Sequence, residues 1–174
     1  MGMKRSLPRF ARASSLLVLF SCSMALAQTA ERGQVEVRGI TGYSSFLDES
    51  PQHHFVAGGA TQVYLTRRLS VGPEVLFMYR NEFDKDLTAS ANVAWDFLGN
   101  SRAQPYVAGH FGVLRHYGGF LGRRFTTNSP EFGIGLGVKI ALTPRLYLVP
   151  DFRMGTEPLV RATVGISYVF GGRE

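Results

Sequence analysis

The stretch Phe132-Gly133-Ile134-Gly135-Leu136-Gly137-Val138-Lys139-Ile140-Ala141-Leu142 alternates without a break. In an extended chain successive side chains point to opposite sides, so Phe132, Ile134, Leu136, Val138, Ile140 and Leu142 share one face. Gly133, Gly135, Gly137, Lys139 and Ala141 share the other. A helical period would scatter both sets around a cylinder, so this is a strand with one apolar and one polar or small face. The same pattern recurs outward in both directions. Over 86–98, Leu87, Ala89, Ala91, Val93, Trp95 and Phe97 oppose Asp86, Thr88, Ser90, Asn92 and Asp96. Over 145–154, Leu146, Leu148, Pro150, Phe152 and Met154 oppose Arg145, Tyr147, Asp151 and Arg153. Over 159–170, Val160, Ala162, Val164, Ile166, Tyr168 and Phe170 oppose Arg161, Thr163 and Ser167. Eight such segments can be drawn, at 34–45, 54–66, 69–80, 86–98, 104–115, 131–142, 145–154 and 159–170. Each is about as long as a tilted membrane strand, roughly 9–11 residues, and an even number suits a closed antiparallel barrel.

The chain opens with Lys4, Arg5, Arg9 and Arg12 and no acid, followed by the apolar run Leu16-Leu17-Val18-Leu19-Phe20 and then Ala25-Leu26-Ala27. A basic region, a short apolar region and a small-x-small site read as a signal peptide over 1–27, cleaved after Ala27, with the barrel domain over 28–174. The apolar run is too short for a membrane helix, which needs about 20 residues. Phe20 before Ser21-Cys22 is a poor fit to a lipid-attachment site, so Cys22, the single cysteine, is read as part of the leader.

Cleavage changes the meaning of the charge. The whole chain carries 19 Lys+Arg and 13 Asp+Glu, net +6. Removing the four leader bases leaves a net charge of +2, which removes most of the support for nucleic acid as a partner. With Cys22 gone, no disulfide framework, thiolate metal site or cysteine nucleophile remains.

Alternation alone fits a half-buried soluble sheet as well as a membrane barrel. The leader favours export. Connection lengths favour the membrane: Thr66 to Arg68, Gly99 to Ala103 and Thr143-Pro144 are short, whereas Ser45 to His54 and His116 to Pro130 are long and Asn81 to Lys85 is intermediate. Short turns at one end and longer loops at the other are the habit of outer-membrane barrels; Gly155 to Pro158 is shorter than that habit expects. Aromatics on the apolar faces sit at strand ends, with Tyr43, Phe55 and Tyr79 toward the long loops and Trp95, Phe97, Tyr168 and Phe170 at the opposite end. Such rings prefer the headgroup level, and Tyr43, Tyr79, Trp95 and Phe97 are expected to form two girdles.

The last segment, Thr163-Val164-Gly165-Ile166-Ser167-Tyr168-Val169-Phe170, resembles the C-terminal β-signal of outer-membrane barrels, although Gly171 to Glu174 follow the final aromatic. Val71-Gly72-Pro73-Glu74-Val75, Pro105-Tyr106-Val107-Ala108-Gly109 and Gly135-Leu136-Gly137-Val138-Lys139 are similar in style to strands of the small OmpA-like and OmpX-like class. The resemblance implies an all-β, eight-stranded antiparallel up-and-down transmembrane barrel in the outer membrane of a Gram-negative-type bacterium. It implies that Gly165, Tyr168 and Phe170 are read by the barrel-assembly machinery, and it does not imply a periplasmic peptidoglycan-binding domain.

Inside so narrow a barrel, charges on the polar faces must meet one another. Glu36, Arg38, Glu74, Lys139, Asp151, Arg153 and Arg161, with Arg80 and Asp96, are expected to form an interior ion-pair and hydrogen-bond network in place of an apolar core. Gly58, Gly133, Gly135 and Gly137 are expected on the inner face, giving room to Tyr64, Arg153, Arg161 or water. His110 also points inward and is the residue to inspect for acid–base chemistry, but His110-Phe111-Gly112 and His116-Tyr117-Gly118 lack the Ser two residues on that lipid A deacylase barrels use. His53, His54 and His116 are expected to be solvated loop histidines, with no partner at metal-ligand spacing, so neither metal nor cofactor is assigned. Arg123-Arg124 between Phe120 and Phe125 is a basic and aromatic loop suited to lipopolysaccharide or a partner surface.

The function expected is therefore that of a non-enzymatic, monomeric outer-membrane barrel, surrounded by outer-membrane lipids and lipopolysaccharide and acting in envelope integrity or surface interaction. The alternatives are a lipid A-modifying barrel enzyme, a narrow gated pore, and a soluble lipocalin-type binder. The last lacks a Gly-x-Trp near the first strand, because Trp95 is the only tryptophan.

Overall fold

The computed structural model describes residues 31–47, 52–82, 84–98, 101–120, 123–156 and 159–171. The leader, with its Ala27 cleavage site and Cys22, lies outside the described residues, as does the side chain of Phe120. The described residues form eight strands: β1 Val35–Phe46, β2 Gln52–Tyr64, β3 Leu69–Asn81, β4 Asp84–Asp96, β5 Ala103–Phe120, β6 Arg123–Ala141, β7 Leu146–Gly155 and β8 Leu159–Phe170. Each pairs antiparallel with the next, and β8 returns to β1 through Val35↔Phe170 to Phe46↔Leu159, closing the barrel. Closure gives every strand a bonded neighbour on both sides within the barrel wall, which is what a chain crossing lipid requires.

The alternating pattern resolves into an inside-out barrel. Ile134, Leu136 and Phe132 are 71%, 63% and 56% exposed, whereas Lys139 on the opposite face of the same strand is 1% exposed. Water would not favour that arrangement, but hydrocarbon around the barrel does. Two short turns at the same end are built alike. Thr66 Oγ1 accepts from the amides of Arg68 and Leu69, and Thr143 Oγ1 from those of Arg145 and Leu146.

Two expectations are corrected by the strand limits. Residues 116–120 and 123–130 are strand, not loop: β5 and β6 stay in register from Val113↔Pro130 to Phe120↔Arg123, making a hairpin that runs on past the β6–β7 pairing, whose outermost pair is Gly133↔Gly155. Pro130 is tolerated there because β6 has no β7 partner at that level to ask for its missing N–H. The β6 arm from Arg123 to Pro130, about 8 residues or roughly 27 Å of strand, runs beyond its β7 partner, whereas β5 stays paired with β4 as far as Asp84↔Gly118. Likewise His53 and His54 stand within β2, not in the preceding loop.

The lumen is also layered rather than uniformly polar. Near the short-turn end Ala94, Tyr106, Ala108, Ala141, Tyr147, Val149 and Val169 form one buried apolar cluster. Nearer the hairpin end Ile40, Val56, Ala60, Leu76, Met78, Leu114 and Leu159 form another, with Phe46 packed against it. The charged network therefore shares the interior with apolar layers; it does not replace them.

Candidate functional site

Four acids and four bases occupy the middle of the lumen in one connected chain. At its inner end Lys139 Nζ lies 3.0 Å from Asp96 Oδ2 and 3.3 Å from Glu36 Oε2, and donates to the Tyr64 hydroxyl, which donates to Glu36 Oε2 at 2.8 Å. Arg38 donates to Glu36 Oε1 through Nε at 3.1 Å and Nη2 at 2.5 Å, and reaches the Tyr106 hydroxyl through Nη1. Tyr106 hands the chain to Asp151 Oδ2 at 2.5 Å, and Arg153 Nε donates to Asp151 Oδ1 at 2.9 Å. Arg153 Nη1 contacts Asn92 Oδ1 and Glu74 Oε1, and Glu74 Oε1 also accepts from Arg161 Nη2 at 2.8 Å. Each charged side chain in the chain is almost wholly buried. The ammonium of Lys139 additionally sits 5.0 Å from the Tyr64 ring centre and 5.4 Å from that of Tyr106.

The network holds Glu36, Arg38, Glu74, Lys139, Asp151, Arg153 and Arg161 together and includes Asp96; Arg80 is at the rim, 43% exposed, paired with Asp84 at 3.1 Å. Equal numbers of opposite charges in contact meet the requirement that buried ions be paired and hydrogen-bonded. A void lined by Arg38, Glu74, Asp151, Arg153 and Arg161 measures about 10 Å³, room for one water at most.

Inner-face glycines make this packing possible. A side chain at Gly135 would collide with Arg153, and one at Gly137 with the Tyr106 ring. Gly58 instead faces Leu76 and Gly133 faces His110, so the expected room for Tyr64 and Arg161 is not what the glycines supply.

The residues expected to form the girdles and the assembly signal face outward or into the β1–β8 seam. Tyr43, Tyr79, Trp95 and Phe97 are 41–65% exposed, with Tyr43 edge-on to Phe55 at 5.9 Å. Gly165, opposite Ile40, leaves space that Arg38 fills, and Tyr168 stacks edgewise on Phe170 at 4.7 Å.

His110 is buried with its Nε2 3.4 Å from Glu131 Oε1. Neither ring nitrogen and neither Glu131 oxygen has a hydrogen-bond partner among the described residues, so no hydroxyl is poised on this pair.

The other histidines are not simply solvated. His54 is 1% exposed, with Nε2 3.0 Å from Asp84 Oδ1 and 3.4 Å from Asp86 Oδ2. His116 Nδ1 lies 2.7 Å from Asp86 Oδ1, and its ring rests 5.9 Å from Phe125. His53, on the opposite face of β2, is exposed. Sequence spacing missed this group because its members come from β2, β4 and β5; the available signal was that His54, Asp86 and His116 share inward parity at the same ends of their strands.

On the hairpin, Arg123, Arg124 and Phe125 are exposed, and Arg124 and Phe125 border a recess of about 220 Å³ with Glu82, Lys85, Tyr117, Gly118 and Thr126.

No protein-family description and no curated protein sequence matches the chain. Among solved structures it is similar to the N-terminal β-barrel domain of Pseudomonas aeruginosa OprF, with TM-score 0.68, 14% identity, and 81% of this chain and 100% of that one covered. It is similar to Neisserial surface protein A, with TM-score 0.65, 16% identity, and 79% and 96% covered. It is similar to Ail, the attachment invasion locus protein of Yersinia pestis, with TM-score 0.53, 10% identity, and 80% and 99% covered. With its closed topology and inverted distribution of polarity, the chain has the fold of the small eight-stranded outer-membrane β-barrels.

Proposed function

We propose that this chain is a non-enzymatic outer-membrane barrel whose lumen is plugged by a charge-balanced central network, acting in envelope integrity or surface interaction through the β5–β6 hairpin. The observation that carries the reading is the central chain of ion pairs: among the described residues, four acids and four bases are bound to one another across the lumen, beneath an apolar layer, which supports a plug rather than a pore. An eight-stranded barrel is just wide enough for its side chains to fill, which favours a plug over a pore. The leader read in the sequence supports export, and the outward apolar face supports residence in lipid. His110 and Glu131 face one another without a bonded hydroxyl, which favours the non-enzymatic reading over lipid A hydrolysis. Closure leaves no free strand edge across the membrane, in keeping with a monomer. Its partners are then outer-membrane lipids and lipopolysaccharide, and the assembly machinery that reads Gly165, Tyr168 and Phe170.

The test is fractionation followed by reconstitution. The protein is expected in the outer-membrane fraction, with a gel mobility that shifts on boiling, and planar bilayers containing it should show no steady conductance steps. Recovery as a soluble periplasmic protein, or a stable channel in every insertion, would overturn the proposal.

A further inference from the structure

The hairpin end of the lumen carries a group of side chains that neither the plug nor the lipid-facing surface uses. His54 from β2 and Asp84 and Asp86 from β4 each offer one ligand atom, and the three atoms lie within 4.8 Å of one another. His54 Nε2 is 3.0 Å from Asp84 Oδ1 and 3.4 Å from Asp86 Oδ2. Atoms bound at about 2.0–2.1 Å to a tetrahedral zinc ion stand roughly 3.3 Å apart, and the two spacings from His54 match those of ligands around one small cation.

A second observation points to a ligand. Asp86 is fully buried, and its Oδ2 has no hydrogen-bond partner although it is aimed into the group. A proton on His54 does not resolve this, because one N–H is directional and is spent on Asp84 Oδ1. A metal ion accepts from all three atoms at once. The remaining contacts are those expected around such an ion. His116 Nδ1 holds the other oxygen of Asp86 at 2.7 Å, Arg80 holds the other oxygen of Asp84 at 3.1 Å, and Phe46 fixes the His54 ring edge-on at 5.4 Å. Two carboxylates and an imidazole also match the charge and ligand softness of a divalent transition metal.

We infer that His54, Asp84 and Asp86 form a binding site for a divalent transition-metal cation of the zinc class at the outer mouth of the barrel, with His116 positioning Asp86. The ion ties β2 to β4, and through His116 to the base of the β5–β6 hairpin. His116, about one-third exposed, lies on the side of the group that meets solvent.

The test is calorimetric titration of zinc chloride into the folded barrel in detergent micelles, produced without a polyhistidine tag. One zinc ion per barrel is expected. Asp84→Asn, at a partly exposed position, and His54→Gln should each lower the affinity by about 100-fold, His116→Gln by about tenfold, and His53→Gln not at all. Cobalt in place of zinc should give the intense visible absorption of a four-coordinate site, lost in the same variants. Should His54→Gln not fold, as judged by its gel shift, Asp84→Asn with the cobalt spectrum decides the matter. Absence of stoichiometric binding, or binding that survives Asp84→Asn but not His53→Gln, would overturn the inference and assign the metal to surface histidines or to none.

Discussion

Arg161 of β8 donates to Glu74 of β3 at 2.8 Å, joining two strands that are separated by β1 and β2 in the barrel wall. The bond is therefore a strut across the lumen, not a neighbour contact along the sheet. Glu74 carries a second base, Arg153, on the same oxygen, so its carboxylate is the only anion directly contacting Arg161 among the described side chains.

Glu74→Ala is expected to damage the network severely, because it leaves buried Arg161 with no carboxylate partner among the described residues and Arg153 with Asp151 alone. Breaking a buried pair by removing one partner costs about 3–5 kcal/mol. The measurement is the urea midpoint of the folded band in unboiled gels, in lipid or detergent. A shift no larger than that of an exposed control such as Asn128→Ala would show that the lumen is hydrated and that the struts carry no load.

Gly137→Leu should fail for a different reason. A side chain there meets the Tyr106 ring, whose hydroxyl links Arg38 to Asp151. Overpacking of this kind costs about 1–3 kcal/mol, and here it also cuts the polar chain in the middle. Gly109→Ala, where no comparably close contact awaits an added methyl group, should be tolerated in the same assay.

How much of this was legible beforehand follows from where the period-2 pattern is enforced. Within the lipid-spanning part of β6, Lys139 must face in and Leu136 out, and the sequence writes that constraint as alternation. Beyond Pro130 both faces of the β6 arm are exposed, residues 123–128 without exception, and no alternation is needed there. That is why Arg123 to Asn128 reads as a loop although it is paired strand. The outer-mouth group was hidden for another reason. Alternation gives the parity of His54, Asp86 and His116, but only register brings Asp86 opposite His116 and sets His54 against Asp84. The apolar layer around Met78 and Leu114 was hidden likewise, because an occasional inward apolar residue on a mostly polar face looks like noise until closure stacks several at one height.

The inverted surface gives a test that separates lipid from water as the barrel's surroundings. Ile134 is 71% exposed, and on a water-soluble protein its replacement by Arg would change stability by no more than about 0.5 kcal/mol. On the lipid face of a membrane barrel the same change costs about 2–4 kcal/mol near the midplane. Ile134→Arg should therefore lower the folding yield into phosphatidylcholine vesicles sharply. The same charge at Asn128, on the projecting hairpin, should not. Equal yields for the two variants would place β6 outside the hydrocarbon.

The hairpin's tip is where a surface role can be isolated from the barrel. Arg123 and Arg124 are exposed and pair across the hairpin with Phe120 and Gly119, beside the exposed ring of Phe125. Neither takes part in the lumen network, so Arg123→Ser with Arg124→Ser should leave the gel shift and the urea midpoint unchanged. If the tip engages lipopolysaccharide phosphates, the double variant in nanodiscs should bind lipopolysaccharide micelles roughly tenfold or more weakly at low salt, since each base near an anionic surface contributes separately. Exposed charges are screened over about 8 Å at physiological ionic strength, so the difference should shrink as salt is raised. A loss that is independent of salt would point to Phe125 and the recess beneath it instead, and Phe125→Ala would then show the larger effect.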